Sequence, residues 1–592
     1  VTSYLPKMRG LGQLELLGER WRRAAFWRGR HISVFSVIAT LLGALLAALV
    51  VYPLVVMCVR VFAPDGELSL SAFRQVANDP AMPTILRDTT IVLGTSTLLA
   101  LAIGLLFAWC NERSDARMGW ASRVLPLTPL LLPPIALSVG WLFLADERAG
   151  YLNVVLRRLM KMVGIERETG PINITSWWGM IFVYTLWLVP FAYLILSAAL
   201  RNIDPALEEA SRINGAGPIQ TALKVSLPAI RPAIVSATLS MLVSGIAVFS
   251  IGRTIGVNAR VRVLSVHIVS LVQSYPSQLD EAVVLGLLVL VVVGTLWLAQ
   301  RRVSTRARHA TIGGKASSHS IVALGPWRWV ARSAMIVYLA ATSVLPILGL
   351  VLVALQPFWT PRVDWRGLSF ENFGRLLGSG SFARSALKTS LTLGVTGATA
   401  GMIVAAIIAV YARQGGARRA VVVDAITKAP GAISHVVVGV AFIVALAGAP
   451  FNLHGTVLIL FLAYLVIYMP QAAIAAGSAS DQVGRDLYEA SVICGAKMGR
   501  TFGRIALPLM LPGLAAGWAL LFVVMAGDLT ASALLAGTKN PVVGFVFLDI
   551  YENGTYSMVA AMGTIMGLIS TLVVAIVMAV ARPRFGVGGV LG

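Results

Sequence analysis

Nine residues recur in the same order 280 positions later and without a gap: Glu209, Ala210, Ser211, Ile213, Gly215, Ala216, Leu227, Pro228 and Pro232 meet Glu489, Ala490, Ser491, Ile493, Gly495, Ala496, Leu507, Pro508 and Pro512. A carboxylate, small residues and a glycine at these spacings suit docking, not bond-making. Asp204 and Pro205 can cap and open a helix, and Glu208 and Glu209 follow in its first turn, where a carboxylate complements the helix dipole. Gly215 permits a left-handed exit or a close backbone approach. A second short helix is expected to run to Leu227-Pro228, where the proline turns the chain into the next segment. Each copy is therefore expected to be a short helix joined by a glycine elbow to a second one.

Other chemistry is thinly represented. No Gly-x-x-x-x-Gly-Lys-[Ser/Thr] phosphate loop occurs; Gly313-Gly314-Lys315-Ala316 is the nearest string and lacks the upstream glycine and the hydroxyl. Six scattered histidines supply no His-Glu-x-x-His zinc motif or Ser/His pair, which argues against a membrane-embedded enzyme. Cys58, Cys110 and Cys494 are far apart and read as small packing residues, so any metal ligands stay unknown. Ionisable residues inside apolar segments are functional candidates. Asp528 and His435 lie deepest, and Arg253 and Lys428 lie nearer segment ends. Asp528, His435 and Arg253 are the candidates for a substrate pathway. A structural role stands beside each: an inter-helix hydrogen bond or ion pair for Asp528, an inter-helix hydrogen bond for His435, and snorkelling to the interface for Arg253 and Lys428. Met558, Met562 and Met566 at helical spacing read as core packing.

The elements that must position these residues are membrane spans. Of the 592 residues, 57% are hydrophobic and 12% charged, unlike a soluble domain, and apolar stretches of about 20 residues recur throughout. The spacing predicts twelve spans, at 33–62, 88–110, 124–145, 176–200, 231–253 and 282–300, then 333–357, 387–411, 422–449, 455–477, 511–535 and 557–581. The first stretch is too long for a signal-peptide core and is expected to be retained. Pro126, Pro129, Pro133 and Pro134 should break the third span, and Pro430-Gly431 the ninth. Broken helices often line a pathway, and ordinary proline kinks are the alternative.

Loops on the side that includes the N-terminus, with Arg231 at the edge of one of them, hold 30 Lys and Arg against 14 on the other side. Both termini, and both repeated elbows, are therefore expected in the cytoplasm. The loop 146–175 dissents, with Arg148, Arg157, Arg158, Lys161 and Arg167 on the outer side. The net charge of +22 is mostly topogenic, with attraction to membrane lipid second. No basic, aromatic-interleaved domain suggests nucleic acid.

Thr89, Leu93 and Gly94 also match Thr389, Leu393 and Gly394, both sets in the second span of a half. The order of features is the same in both halves, so the fold class is an all-α polytopic membrane protein of two parallel six-helix repeats. The domains follow: a basic segment 1–32, a first unit 33–300, a basic turn-rich linker 301–332 and a second unit 333–592.

Glu-Ala-x-x-x-Gly with Leu-Pro about a dozen residues later resembles the EAA loop of binding-protein-dependent ABC importer permeases, over roughly 85–300 and 385–580. In that family the loop is the coupling helix seated in a cleft of the ATPase subunit. The resemblance implies a transport subunit that is not itself an enzyme. Two copies of an ABC ATPase would carry ATP and Mg, an extracytoplasmic solute-binding protein would deliver the solute, and the location would be the bacterial inner membrane. Phe249-Ser250 to Leu264, Leu529–Leu535 and Asp549–Gly554 are similar to the ferric-iron branch of fused permeases, which borders thiamine, phosphonate and other small-anion systems. Where that branch commonly has Arg-Glu, this chain has Gly527-Asp528. An ion-gradient-driven carrier of twelve spans is the rival reading. It leaves the repeated elbow unexplained, and 111–123 and 412–421 lack the Asp-Arg-x-Gly-Arg-Arg-like string of such carriers.

Overall fold

The computed structural model describes residues 34–119, 129, 132–310, 321–414 and 417–581. The expectations for 1–32, Pro126 and Gly313–Ala316 lie outside them. Among the described residues nine helices are long and apolar enough to cross a bilayer, and two further pairs are bent at a short break. Helices dominate because lipid offers the backbone no hydrogen-bond partner, so each segment must satisfy its own amides.

The first half runs through Val34–Phe62, Met82–Arg113, Pro134–Ala145, Trp177–Arg201, Arg231–Ala247 and Leu279–Ala310. In the second half come Trp327–Ala354, Phe382–Gln414, a bent ninth span of Arg418–Ala432 and His435–Ala447, then Val457–Asp481, Leu507–Ala526 and Tyr556–Ala581. Eleven of the twelve expected segments are met by helices long enough to span, the bent pairs included, and among the described residues the third is a 12-residue helix. The ninth bends by 93° after Pro430-Gly431.

Three boundaries differ from the sequence expectation. Pro228 lies inside a helical run, and the 71° turn falls just after it at Ile230, between Pro218–Ala229 and Arg231–Ala247. The fifth and eleventh spans stop at Ala247 and Ala526, short of 253 and 535. The chain then resumes as a π turn at Gly252–Gly256 and a helix at Thr530–Leu535. Hydropathy runs straight through these breaks because most of their residues are apolar. A backbone contact holds one of them open: a Cβ on Gly544 would stand 2.2 Å from the Asp528 carbonyl oxygen.

Each half's opening helix crosses to the other half. Val34–Phe62 packs on His435–Ala447, and the seventh span packs on Pro134–Ala145. The second crossing is close because both helices present glycine: a Cβ on Gly140 would meet the Pro346 backbone at 2.7 Å, and one on Gly349 the Gly140 carbonyl at 3.0 Å. Between apolar helices in lipid, such close packing replaces the missing hydrophobic drive. Gly140→Ala is expected to lower the thermal stability of the purified chain by about 1–3 kcal/mol, the usual cost of overpacking. An unchanged melting curve would contradict this separation.

Candidate coupling elbows and the interior polar cluster

Both repeated segments fold as a short helix and a glycine elbow. Asp204 caps Pro205–Ile213, its carboxylate accepting from the Ala206 amide at 3.0 Å, with Pro205 in the first position. Gly215 leaves the helix at φ 82°. The second copy is Arg485–Ile493, with Gly495 at φ 74°. Side chains would be strained at both glycines. A hydroxyl pair closes each elbow, Ser211 with Thr221 at 3.1 Å and Ser491 with Thr501 at 2.7 Å.

The two copies turn the same positions to the same side. Glu209 and Glu489, Ala210 and Ala490, and Gly215 and Gly495 are exposed, while Leu227, Pro228, Leu507 and Pro508 are half-buried. Beside the exposed carboxylates stand Leu207 and Ile213 in one copy and Leu487 and Ile493 in the other, all exposed. An apolar patch rimmed by charge is the composition of a protein-docking surface. Both elbows lie on one face of the bundle: Phe35, at the start of the first span, packs its ring at a tilt against Phe502 of the second elbow, 5.3 Å between centroids, and Arg113, at the end of the second span, reaches the first elbow.

Glu208 departs from the expected role. Instead of facing outward beside Glu209 it turns inward, 3% exposed, and accepts from Arg113 Nε at 3.0 Å and from the Ser226 hydroxyl at 2.7 Å. Arg113, 2% exposed, also donates to the Leu200 carbonyl at 2.6 Å. This buried network joins the end of the second span, the end of the fourth and both arms of the elbow. In the second half the equivalents of Glu208 and Ser226 are Tyr488 and Ala506. Burial pushes the Tyr488 phenol up, so it stays neutral. Arg413, at the place of Arg113, instead donates to the Ser480 carbonyl and pairs with Asp481 at 3.3 Å. The first elbow is therefore locked to its bundle by a buried charge pair, and the second rests on a neutral side chain. Sequence reasoning missed Arg113 and Ser226, because Arg113 is far from the repeat. The match of Arg113 to Arg413 at the ends of corresponding spans was the available signal.

Two of the three pathway candidates meet. Asp528 accepts from Tyr468 Oη at 2.9 Å and from the amides of Ala531 and Ser532 at 2.9 and 3.1 Å. His435 sets its ring edge-on to Tyr468 at 5.4 Å between centroids. The Asp528 carboxylate thus caps the helix Thr530–Leu535 and ties it to the tenth span, a local bonding role. Asp528→Ala is expected to cost about 1–2 kcal/mol of stability, read by thermal unfolding, through two amides left without an acceptor. A loss of transport with no loss of stability would instead place the carboxylate on the solute's path.

Arg253 lies elsewhere and does not simply snorkel. Its Nε donates to Glu552 Oε1 at 3.0 Å, across the two halves. Gln273 and Glu552 are the last residues of equivalent ten-residue helices, Leu264–Gln273 and Val543–Glu552. Gln273 in turn donates to the Ala533 carbonyl at 3.1 Å, and Ala533 is the equivalent of Arg253 at the 280-residue offset. Two related contacts, one ionic and one neutral, thus join the halves at the end of the bundle away from the elbows, where Tyr551 also donates to the Thr254 carbonyl at 2.9 Å. Lys428 pairs with Asp424 on its own helix. Met562 and Met566 are buried in the core, with Met558 partly buried against it. Among the described residues no cluster of three or more His, Cys, Asp or Glu could hold a metal ion.

Comparison with known proteins agrees with this architecture. The family described as "Binding-protein-dependent transport system inner membrane component" matches twice, over residues 100–365 and 397–586. The chain is 22% identical over 545 residues to a ferric transport system permease protein FbpB of Actinobacillus pleuropneumoniae, covering 89% of this chain and 76% of that protein. It is also 22% identical over 493 residues to a putative ferric transport system permease protein FbpB 1 of Haemophilus influenzae, covering 81% of this chain and 74% of that one. A solved bacterial ABC transporter that imports the acidic polysaccharide alginate aligns at 18% identity with a TM-score of 0.37, over 43% of this chain and 95% of the matched chain. With one family matched twice along the chain, and a glycine elbow repeated on one face of the bundle, the chain belongs to the inner membrane components of binding-protein-dependent transport systems, a permease subunit of ABC importers.

Proposed function

We propose that this permease moves a small solute inward by alternating access, driven by two ATPase subunits seated on the two elbows. The observation that carries the proposal is the pair of elbows on one face, with the same exposed glutamate and the same burial pattern. Closure of the ATPases on ATP and Mg would draw the elbows together, and the units 33–300 and 333–592 would rock about the contacts between Arg253 and Glu552 and between Gln273 and Ala533. Two packed bodies that switch between discrete arrangements are a known route to alternating access. An extracytoplasmic binding protein would deliver the solute on the face away from the elbows, and both termini would lie in the cytoplasm.

The solute class we favour is ferric iron, on the strength of relatives named as ferric transport permeases. A small anion or organic ion is the second choice, because Gly527-Asp528 stands where the ferric branch has Arg-Glu. Vesicles holding the purified chain with its ATPase subunits and binding protein should take up solute when ATP is supplied inside. Uptake driven by a proton gradient alone, with no nucleotide, would overturn the proposal in favour of a secondary carrier.

A further inference from the structure

The loop 146–175, whose basic residues are at odds with its outer position, folds into an amphipathic helix, Tyr151–Met162. It lies at the surface level of the bundle because its first turn is tied to the ends of both neighbouring spans. The Asn153 side chain donates to the carbonyls of Asp146, at the end of the third span, and Ile172, just before the fourth, at 2.8 and 2.6 Å. Trp178, largely exposed at the start of the fourth span, marks the same level, since tryptophan concentrates where headgroups meet acyl chains.

The helix buries Asn153 and leaves an apolar stripe uncovered: Val155, Leu159 and Met162 are exposed at one-turn spacing, and Val163 continues it. Alongside this stripe runs an open groove of about 510 Å³ lined by Arg157, Arg158, Lys161, Arg167 and Arg362, with Glu166 and Glu168 as the acids. Arg157 is committed to the backbone carbonyls of Glu168 and Arg148, and Lys161 to Glu166. Arg158, Arg167 and Arg362 show no such commitment among the described residues, and all three are exposed. Arg362 belongs to the second half, so the groove spans both halves of the permease.

We propose that this groove binds the phosphate headgroup of an anionic phospholipid in the leaflet away from the elbows, with the Val155–Leu159–Met162 stripe set into its acyl chains. An apolar stripe beside a basic one is the composition of a helix lying in the interfacial plane. A guanidinium set matches phosphate geometry through paired N–H donors. The loop's basic residues then bind lipid on the face away from the elbows. The inference stands apart from the proposed transport reaction.

The test uses the full chain, purified in mild detergent and offered phosphatidylglycerol, phosphatidylcholine or inorganic phosphate, with bound molecules counted by native mass spectrometry. At least tenfold preferential retention of phosphatidylglycerol over phosphatidylcholine is expected. The combined variant Arg158→Gln, Arg167→Gln and Arg362→Gln should lose that preference while eluting as the parent chain does. Leu159→Glu should weaken phosphatidylglycerol retention without creating a preference for phosphatidylcholine. Retention of the full preference in the combined variant would overturn the proposal. So would equal retention of the two lipids by the parent chain, or displacement of lipid by millimolar inorganic phosphate, which would mark a soluble-anion site. Capture of the solute-binding protein that needs the three arginines, with no lipid preference, would assign the groove to that protein.

Discussion

Glu208→Gln is expected to destabilise the first elbow by about 3–5 kcal/mol, the usual cost of removing one partner from a buried ion pair. Gln keeps the shape and one acceptor, but the Arg113 charge is then enclosed at 2% exposure with only the Leu200 carbonyl and a neutral amide to meet it. The readout is thermal unfolding of the purified chain, together with recovery of the ATPase partner. Replacing both members, with Arg113→Met and Glu208→Leu, should recover much of the loss, because well-packed apolar residues often match a buried pair in stability. Tyr488→Phe, the equivalent change in the second half, should cost less than about 1 kcal/mol, since no charge is left behind. Equal effects of Glu208→Gln and Tyr488→Phe would contradict the asymmetry between the elbows.

The second large effect concerns coupling and not stability. Glu209→Lys combined with Glu489→Lys should leave the melting curve within about 0.5 kcal/mol of the parent chain, as exposed substitutions usually do. ATP-driven uptake should nonetheless fall by at least tenfold, about 1.4 kcal/mol. Reversed charge on a docking rim repels the complementary surface of a partner and costs association before it costs anything else. ATPase subunits should co-purify less, or should hydrolyse ATP without moving solute. Normal uptake with normal recovery of the complex would remove the elbows from the mechanism. The two experiments separate cleanly, because Glu208 and Glu209 are adjacent in sequence and face opposite ways.

The elbows themselves were legible before any coordinates. The Asp204 cap, Pro205 and the left-handed exits at Gly215 and Gly495 follow from local backbone chemistry. The division of labour between Glu208 and Glu209 was not legible, since both suit the first turn of a helix and only the packing of the second span decides which is enclosed. The pathway candidates were found by their burial in apolar segments, yet Tyr468 and Glu552, the partners that define what Asp528 and Arg253 do, carry no spacing signal. They sit 60 and 299 residues away from them. Arg253 read as a snorkelling residue because its partner lies in the other half.

By itself, the sequence determined the membrane class, the twelve apolar segments, the parallel repeat and the two glycine elbows, since each rests on composition or on interactions within a few residues. Tertiary structure alone decided the exchange of opening helices between halves, the breaks after Ala247 and Ala526, the buried Arg113–Glu208 pair and the groove at Arg158, Arg167 and Arg362. These depend on contacts between residues far apart in the chain. Apolar helices in lipid look alike from outside, and close approach at glycines such as Gly140 and Gly349, with a few buried polar bonds, chooses their neighbours.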